Sequence, residues 1–296
     1  MEFRVSLPLN LYYHLQLSCG TNPQLKNKRY QQEFSPTIPK DLCWDFYFAQ
    51  DQYWFTQRFF IETLGRAQDL PSLEEGFAGG FEEYIKGELL PKLADILRRA
   101  YSSYEPYWRK REPELERMRR EIEARWRECE EEVFTKVEEL TKLEWKEELY
   151  TVHLVDSLGY GGLLFGEGHY AIGVSEPKTF LHCLIHELVH DNIEPAVRRV
   201  HVELELSQAQ EDAIDETFAR LIEMEVTEAV APWAEEPLDQ KRKEAREQGF
   251  LEFFEAVLSD WPGYLERVEN YPDIGAFMRE EALKRKRELE LARPHL

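Results

Sequence analysis

The chain has 296 residues, with 37 Lys+Arg against 58 Asp+Glu and a formal net charge of −21. That balance argues against nucleic acid or an anionic membrane as the main partner, because both are held by clustered Lys and Arg. At 43% hydrophobic and 32% charged residues the composition is globular, and the length suffices for a sizeable core without disulfide or metal.

The N-terminus, Met1-Glu2-Phe3-Arg4, lacks a basic segment leading into an apolar run. No uncharged apolar run approaches the roughly 20 residues of a membrane span. Cys19, Cys43, Cys129 and Cys183 are widely spaced and form no CxxC pair, which predicts four reduced thiols in a cytoplasmic protein. Five Asn beside abundant Glu, Lys and Arg lean toward a thermophilic source.

In chain order, Phe3, Val5 and Leu7 alternate with Glu2, Arg4 and Ser6, which predicts a strand from Glu2 to Leu9 within an otherwise irregular first 40 residues. Residues 20–40 hold Gly20, Asn22, Pro23, Pro36 and Pro39 and read as loop. Trp44, Phe46, Tyr47, Phe48, Tyr53, Trp54, Phe55, Phe59 and Phe60 then crowd together. They predict a buried helix packed under the N-terminal segment, with an aromatic ligand groove as the alternative.

From Gly80 to about Leu149 the pattern is helical. Pro113 suits a helix start. Leu115, Met118, Ile122, Trp126, Cys129, Val133, Val137 and Leu140 follow at steps of three and four, which predicts one helix of roughly 50 Å packed on the rest of the chain. The character changes at Tyr150, so the expected domains are 1–149, helical, and 150–296. Residues 151–155, 162–165 and 169–174 read as strands. Gly159, Gly161, Gly162, Gly166 and Gly168 have neither phosphate-loop nor GxGxxG spacing and suit turns. Helices return after Pro177.

One motif carries chemistry: His186-Glu187-Leu188-Val189-His190, an HExxH. Residues i and i+4 share a helix face, so both imidazoles can reach one Zn²⁺, and Glu187 can serve as general base to a water there. A composition with 8 His gives on the order of 0.03 such matches by chance. The flanking Phe180, Leu181, Leu184, Ile185, Leu188 and Val189 make the helix central, and two His and a Glu in a buried helix need coordination or pairing. His182, about 12 Å along the axis from His190, is structural or supports the ligands from behind.

A third ligand belongs to the next helix, which a Ser207–Gln210 capping box opens. At 100° per residue Glu211, Asp215, Phe218, Ile222, Val226 and Ala229 form a stripe, read as the inward face. Glu216 falls with Asp212, Arg220 and Glu223 on a side that reads as solvent. Glu211 is therefore the preferred third ligand, with Asp215 as acceptor for a ligand imidazole N–H.

HExxH followed by ExxxD on a downstream helix resembles the gluzincin group of zinc metallopeptidases over about residues 150–230. The resemblance implies zinc on His186, His190 and Glu211, with Glu187 as base. In a competing register Asp215-Glu216-Thr217-Phe218-Ala219 resembles the NExFA-type ligand segment of aminopeptidase-like gluzincins and makes Glu216 the alternative ligand. The metzincin continuation is absent, since Ile193 and Arg199 do not fit it. The implied fold is α+β, predominantly α-helical: a zincin-like catalytic domain with a small antiparallel sheet beside the HExxH helix, preceded by a long-helix N-terminal region. Residues 169–175 are placed to be the substrate-pairing edge strand, an inner strand being the alternative.

The expected function is zinc-dependent hydrolysis of a peptide or protein substrate, with no nucleic-acid or membrane partner. His201, Tyr264 and Tyr271 are oxyanion-donor candidates by residue type. A non-catalytic metal-binding regulatory or interaction protein is the alternative, and a latent peptidase capped by the N-terminal helices is a third possibility.

Overall fold

The computed structural model describes residues 1–21, 38–53, 64–65, 67, 69–71, 90–159, 161–166, 168–174, 176–234 and 236–292. The loop expected at 22–37, the aromatics from Trp54 to Phe60 and the helical stretch 80–89 lie outside these. Two compact units emerge, Met1–Arg125 with Leu149–Cys183 and Trp126–Glu148 with Leu184–Leu296. Each takes in two stretches of chain, so the borders differ from a single cut at 149–150.

The first unit begins with a short strand, β1 (Glu2–Arg4), and a helix, α1 (Leu7–Cys19). The expected strand through Leu9 stops at Arg4 because Ser6 caps the helix, its Oγ accepting from the Leu9 N–H at 3.3 Å. Every residue from Leu7 to Leu17 is buried. A helix apolar on all sides carries no 3.6-residue pattern, so the sequence hides it. Asn10 fastens it to the sheet: its Nδ2 donates to Leu154 O at 3.0 Å, and its Oδ1 accepts from the Asp156 N–H at 2.9 Å.

Helix α2 (Lys40–Tyr53) is joined to the end of α1 by a Cys19–Cys43 disulfide, which corrects the expectation of four thiols. Cys129 and Cys183 are free and buried. The aromatic helix is also less buried than expected. Phe46 is enclosed, but Trp44, Tyr47 and Phe48 are exposed and pack on one another, with Trp44 and Phe48 ring centroids 6.0 Å apart.

Helix α3 (Leu90–Arg127) contains Pro113 instead of starting at it. The expected single long helix breaks at Glu128–Cys129, and α4 (Glu130–Thr141) follows. At the break the Cys129 N–H bonds the carbonyl of Trp126, a tightened turn. The apolar stripe is buried through both helices at Leu115, Ile122, Trp126, Val133 and Val137.

Strands β2 (Thr151–Val155), β3 (Gly162–Gly166) and β4 (His169–Gly173) complete the sheet, in the order β1-β2-β4-β3. β1, β2 and β4 run parallel, and β3 joins β4 as an antiparallel hairpin. The expected antiparallel zincin-like sheet is thereby overturned: its body is parallel. The later strand β4 lies between β2 and β3, so β3 is the outer strand. β4 is accordingly an inner strand, not the edge expected at 169–175. β2 is buried at every residue, as suits a parallel strand covered on both faces. Of the glycine cluster, Gly159, Gly161 and Gly168 serve turns, whereas Gly162 and Gly166 begin and end β3. Gly159 and Gly161 have φ of 80° and 120°, and a Cβ on Gly173 would meet Gly159 O at 1.6 Å.

The second unit is helical. It comprises α4, most of α5 (Pro177–Leu204), α6 (Gln208–Val230), α7 (Leu238–Glu247), α8 (Leu251–Leu265), α9 (Ile274–Lys284) and α10 (Lys286–Glu290). Phe218, Trp261, Tyr264 and Phe277 form its aromatic centre, with Tyr264 stacked on Phe277 at 4.6 Å. Among the described residues no helix is long and apolar enough to cross a membrane.

Candidate metal centre

Leu184, Ile185, Leu188, Val189 and Ile193 are fully buried along α5, and this packing fixes the angle at which His186 and His190 leave the helix. One turn apart, the two rings stand perpendicular with centroids 4.5 Å apart and Nε2 atoms 3.0 Å apart.

α6 returns antiparallel to α5 after a tight connection through Glu205, at φ 53°, and Leu206. The expected capping box starts it: Ser207 and Gln210 bond each other's backbone N–H groups. The hairpin register then sets every contact. His201 meets Glu211 at 3.1 Å, His190 meets Asp215 at 3.0 Å, and His186 meets Glu223 at 3.4 Å. The pairs follow one another in opposite chain order along the two helices, as an antiparallel return requires.

Glu216 lies between the last two pairs. Its carboxylate oxygens are 3.7 Å from His186 Nε2 and 4.0 Å from His190 Nε2. His186, His190 and Glu216 thus offer ligand atoms that all lie within 4.8 Å of one another. Two atoms each about 2.1 Å from one ion can be at most about 4.2 Å apart, so this donor set fits a single divalent cation. Both Nδ1 atoms face carboxylates, so a neutral imidazole at either position would carry its proton there and turn its Nε2 lone pair inward. Two such lone pairs 3.0 Å apart repel unless a proton or cation is shared between them.

The charges around the pair are mostly acidic. Burial alone would depress the His190 pKa, but Asp215, backed by Glu216 and Glu187, overrides this and pushes it up to about 10. Burial pushes the Glu187 carboxyl above its ordinary value. The two histidines oppose that shift, and Glu216 and Asp215 add to it. Burial works the same way on Glu216, yet the Arg220 charge and the histidines hold it well below the usual carboxylate range. Arg220 is itself buried. It pairs with the Glu216 carboxylate, reaches Gln248 Oε1 at 3.1 Å and lies over the Phe250 ring.

Several expectations change. Glu211, the preferred third ligand, is not brought to the two histidines but faces His201 near the hairpin turn. The side of α6 read as solvent-facing is interior: Arg220 is 3% exposed and Glu223 1%. Its polarity reflects buried ion pairs, which a helical wheel cannot tell from hydration. Asp215 does stand at the His190 Nδ1, 3.0 Å away. His182 is buried and outside the three-residue group. The oxyanion candidates are engaged elsewhere: His201 with Glu211, Tyr264 with the Leu140 carbonyl and Tyr271 with Glu280.

Sequence reasoning grouped Glu223 and Arg220 with Glu216 but took their side for solvent, and it missed Lys241 altogether. The shared face is a matter of spacing, since Glu216 and Glu223 are seven residues apart. Comparison with protein-family models, curated proteins and solved structures gives no match to this chain.

Proposed function

We propose that the chain is a zinc-dependent metallopeptidase, with His186, His190 and Glu216 as the residues that would hold the ion. The observation that carries this reading is the convergence of two imidazole nitrogens 3.0 Å apart on the Glu216 carboxylate, each imidazole backed by its own acid. Two His and one carboxylate suit zinc with a coordination position left open. When bound, the ion would supply electrophilic polarisation of a carbonyl and acidification of water.

Glu187 is the group of this chain that moves the proton. Its raised affinity for a proton suits it to take one from the attacking water. It then delivers that proton to the departing amine nitrogen as the C–N bond breaks. Asp215 and Glu223 hold the imidazoles in the tautomer whose Nε2 faces inward. The substrate class is peptide or protein, with no nucleic-acid or membrane partner.

One observation favours the alternative of a non-catalytic metal-binding protein: Arg220 already pairs with Glu216 and draws on its charge. The test is zinc content together with cleavage of a generic unfolded protein, in the parent and in Glu187→Gln. The parent is expected to bind one zinc and cleave; the variant is expected to keep zinc and lose turnover. Undiminished turnover in the variant rules out the mechanism, and stoichiometric zinc without cleavage in the parent favours the alternative.

A further inference from the structure

The two imidazoles are backed differently. His190 is backed by Asp215, which is about a third exposed. His186 is backed by Glu223, and Glu223 is backed in turn by Lys241 on α7. Both of these side chains are 1% exposed. The Lys241 ammonium donates to both Glu223 oxygens at 2.8 Å, and Glu236 Oε2 lies 3.8 Å from it.

Such a pair is a poor device for stability. Taking an ammonium and a carboxylate out of water costs several kcal/mol per ion, and well-packed apolar residues often serve as well or better. What an apolar pair cannot do is present an acceptor to an imidazole. Glu223 Oε2, tethered by Lys241, lies 3.4 Å from His186 Nδ1. With both of its oxygens already bonded to one buried ammonium, the carboxylate has one orientation available. The His186 ring and its tautomer are fixed with it.

We propose that Glu223 and Lys241 are a positioning pair for His186, through which α7 sets the geometry of the centre. The proposal rests on the metal-site reading above. Neither residue touches the reacting atoms; Glu223 aims the imidazole, and Lys241 aims Glu223.

The experiment uses the full chain and the metal alone. Zinc affinity is measured by chelator competition and the coordination by the absorption of the cobalt-substituted protein. The set is the parent, Glu223→Gln, Lys241→Met, Lys241→Arg and Glu281→Gln. Glu281 is a control: it too is 1% exposed and ion-paired, to Arg285 at 2.6 Å, but it stands outside the His186 cluster. Glu223→Gln and Lys241→Met are expected to weaken zinc binding about 10- to 100-fold and to shift the cobalt spectrum. Lys241→Arg should recover most of the loss, and Glu281→Gln should bind as the parent does. Parent-like affinity and spectrum in Glu223→Gln overturn the proposal, as does an equal loss in Glu281→Gln. If Lys241→Met does not fold, Glu223→Gln and Lys241→Arg decide. A parent that binds no zinc overturns the site reading itself, whereas a zinc-binding parent with indifferent Glu223 and Lys241 variants overturns only the positioning role.

Discussion

The two candidate third ligands can be separated by charge-removing substitutions, Glu216→Gln and Glu211→Gln. Glu216 sits within 4.0 Å of both Nε2 atoms, whereas Glu211 is occupied by His201 further along the hairpin. Five residues of α6 separate the two acids, about 7.5 Å along the axis, more than three times a zinc–oxygen bond of about 2.1 Å. Zinc at 100 times its dissociation constant stabilises the folded state by about 2.7 kcal/mol. For a chain of this size that raises the unfolding midpoint by about 4 °C. Loss of a ligand that weakens binding about 100-fold leaves about 0.4 kcal/mol at the same zinc concentration, or about 1 °C. Glu216→Gln also takes the charged partner from the buried Arg220, so its metal-free midpoint should fall. The informative quantity is therefore the zinc-dependent shift within each variant, read by thermal unfolding with and without zinc. Glu216→Gln is expected to lose most of the shift and Glu211→Gln to keep it. The reverse pattern would refute the reasoning from the hairpin register.

Two further predictions concern the first unit. His14 is fully buried beside Tyr104, ring centroids 4.8 Å apart, and burial lowers its pKa from 6.5 to about 3. The unfolded chain therefore binds the extra proton first. The contribution of a neutral His14 is complete above pH 6.5 and is lost as pH falls from there toward 3, by about 2 kcal/mol at pH 5. Denaturant unfolding at pH 7.5 and pH 5 should show that loss, reduced in His14→Leu; equal slopes in both proteins would count against it. The Cys19–Cys43 bridge closes a loop over a sequence separation of 24, which restricts the unfolded chain by about 3 kcal/mol. A reductant should lower the unfolding midpoint of the parent and leave a Cys19→Ser/Cys43→Ser double variant unmoved, and an insensitive parent would contradict the bridge.

The sequence determined the parts whose signal is local. The HExxH spacing put two imidazoles on one face of α5, Ser207 and Gln210 marked the start of α6, and the residues from Thr151 to Gly173 announced three strands. Each depends on neighbours a few residues apart. The parallel body of the sheet was not legible in this way, because β1 pairs with a strand almost 150 residues later. Helix α1 was hidden because burial on every side erases periodicity.

The third member of the candidate centre shows the division most clearly. Glu211, Asp215, Glu216 and Glu223 are all acids on one helix, and the local ranking by helical face chose Glu211. The tight turn at Glu205–Leu206 and the antiparallel return of α6 rank them otherwise, giving Glu211 to His201, Asp215 to His190, Glu223 to His186, and Glu216 to the space between. The sequence alone determined which helix carries the histidines and that an acid must meet them. The tertiary register decided which acid stands between the two imidazoles, because a shift of even one helical turn, about 5.4 Å, would put a different acid there.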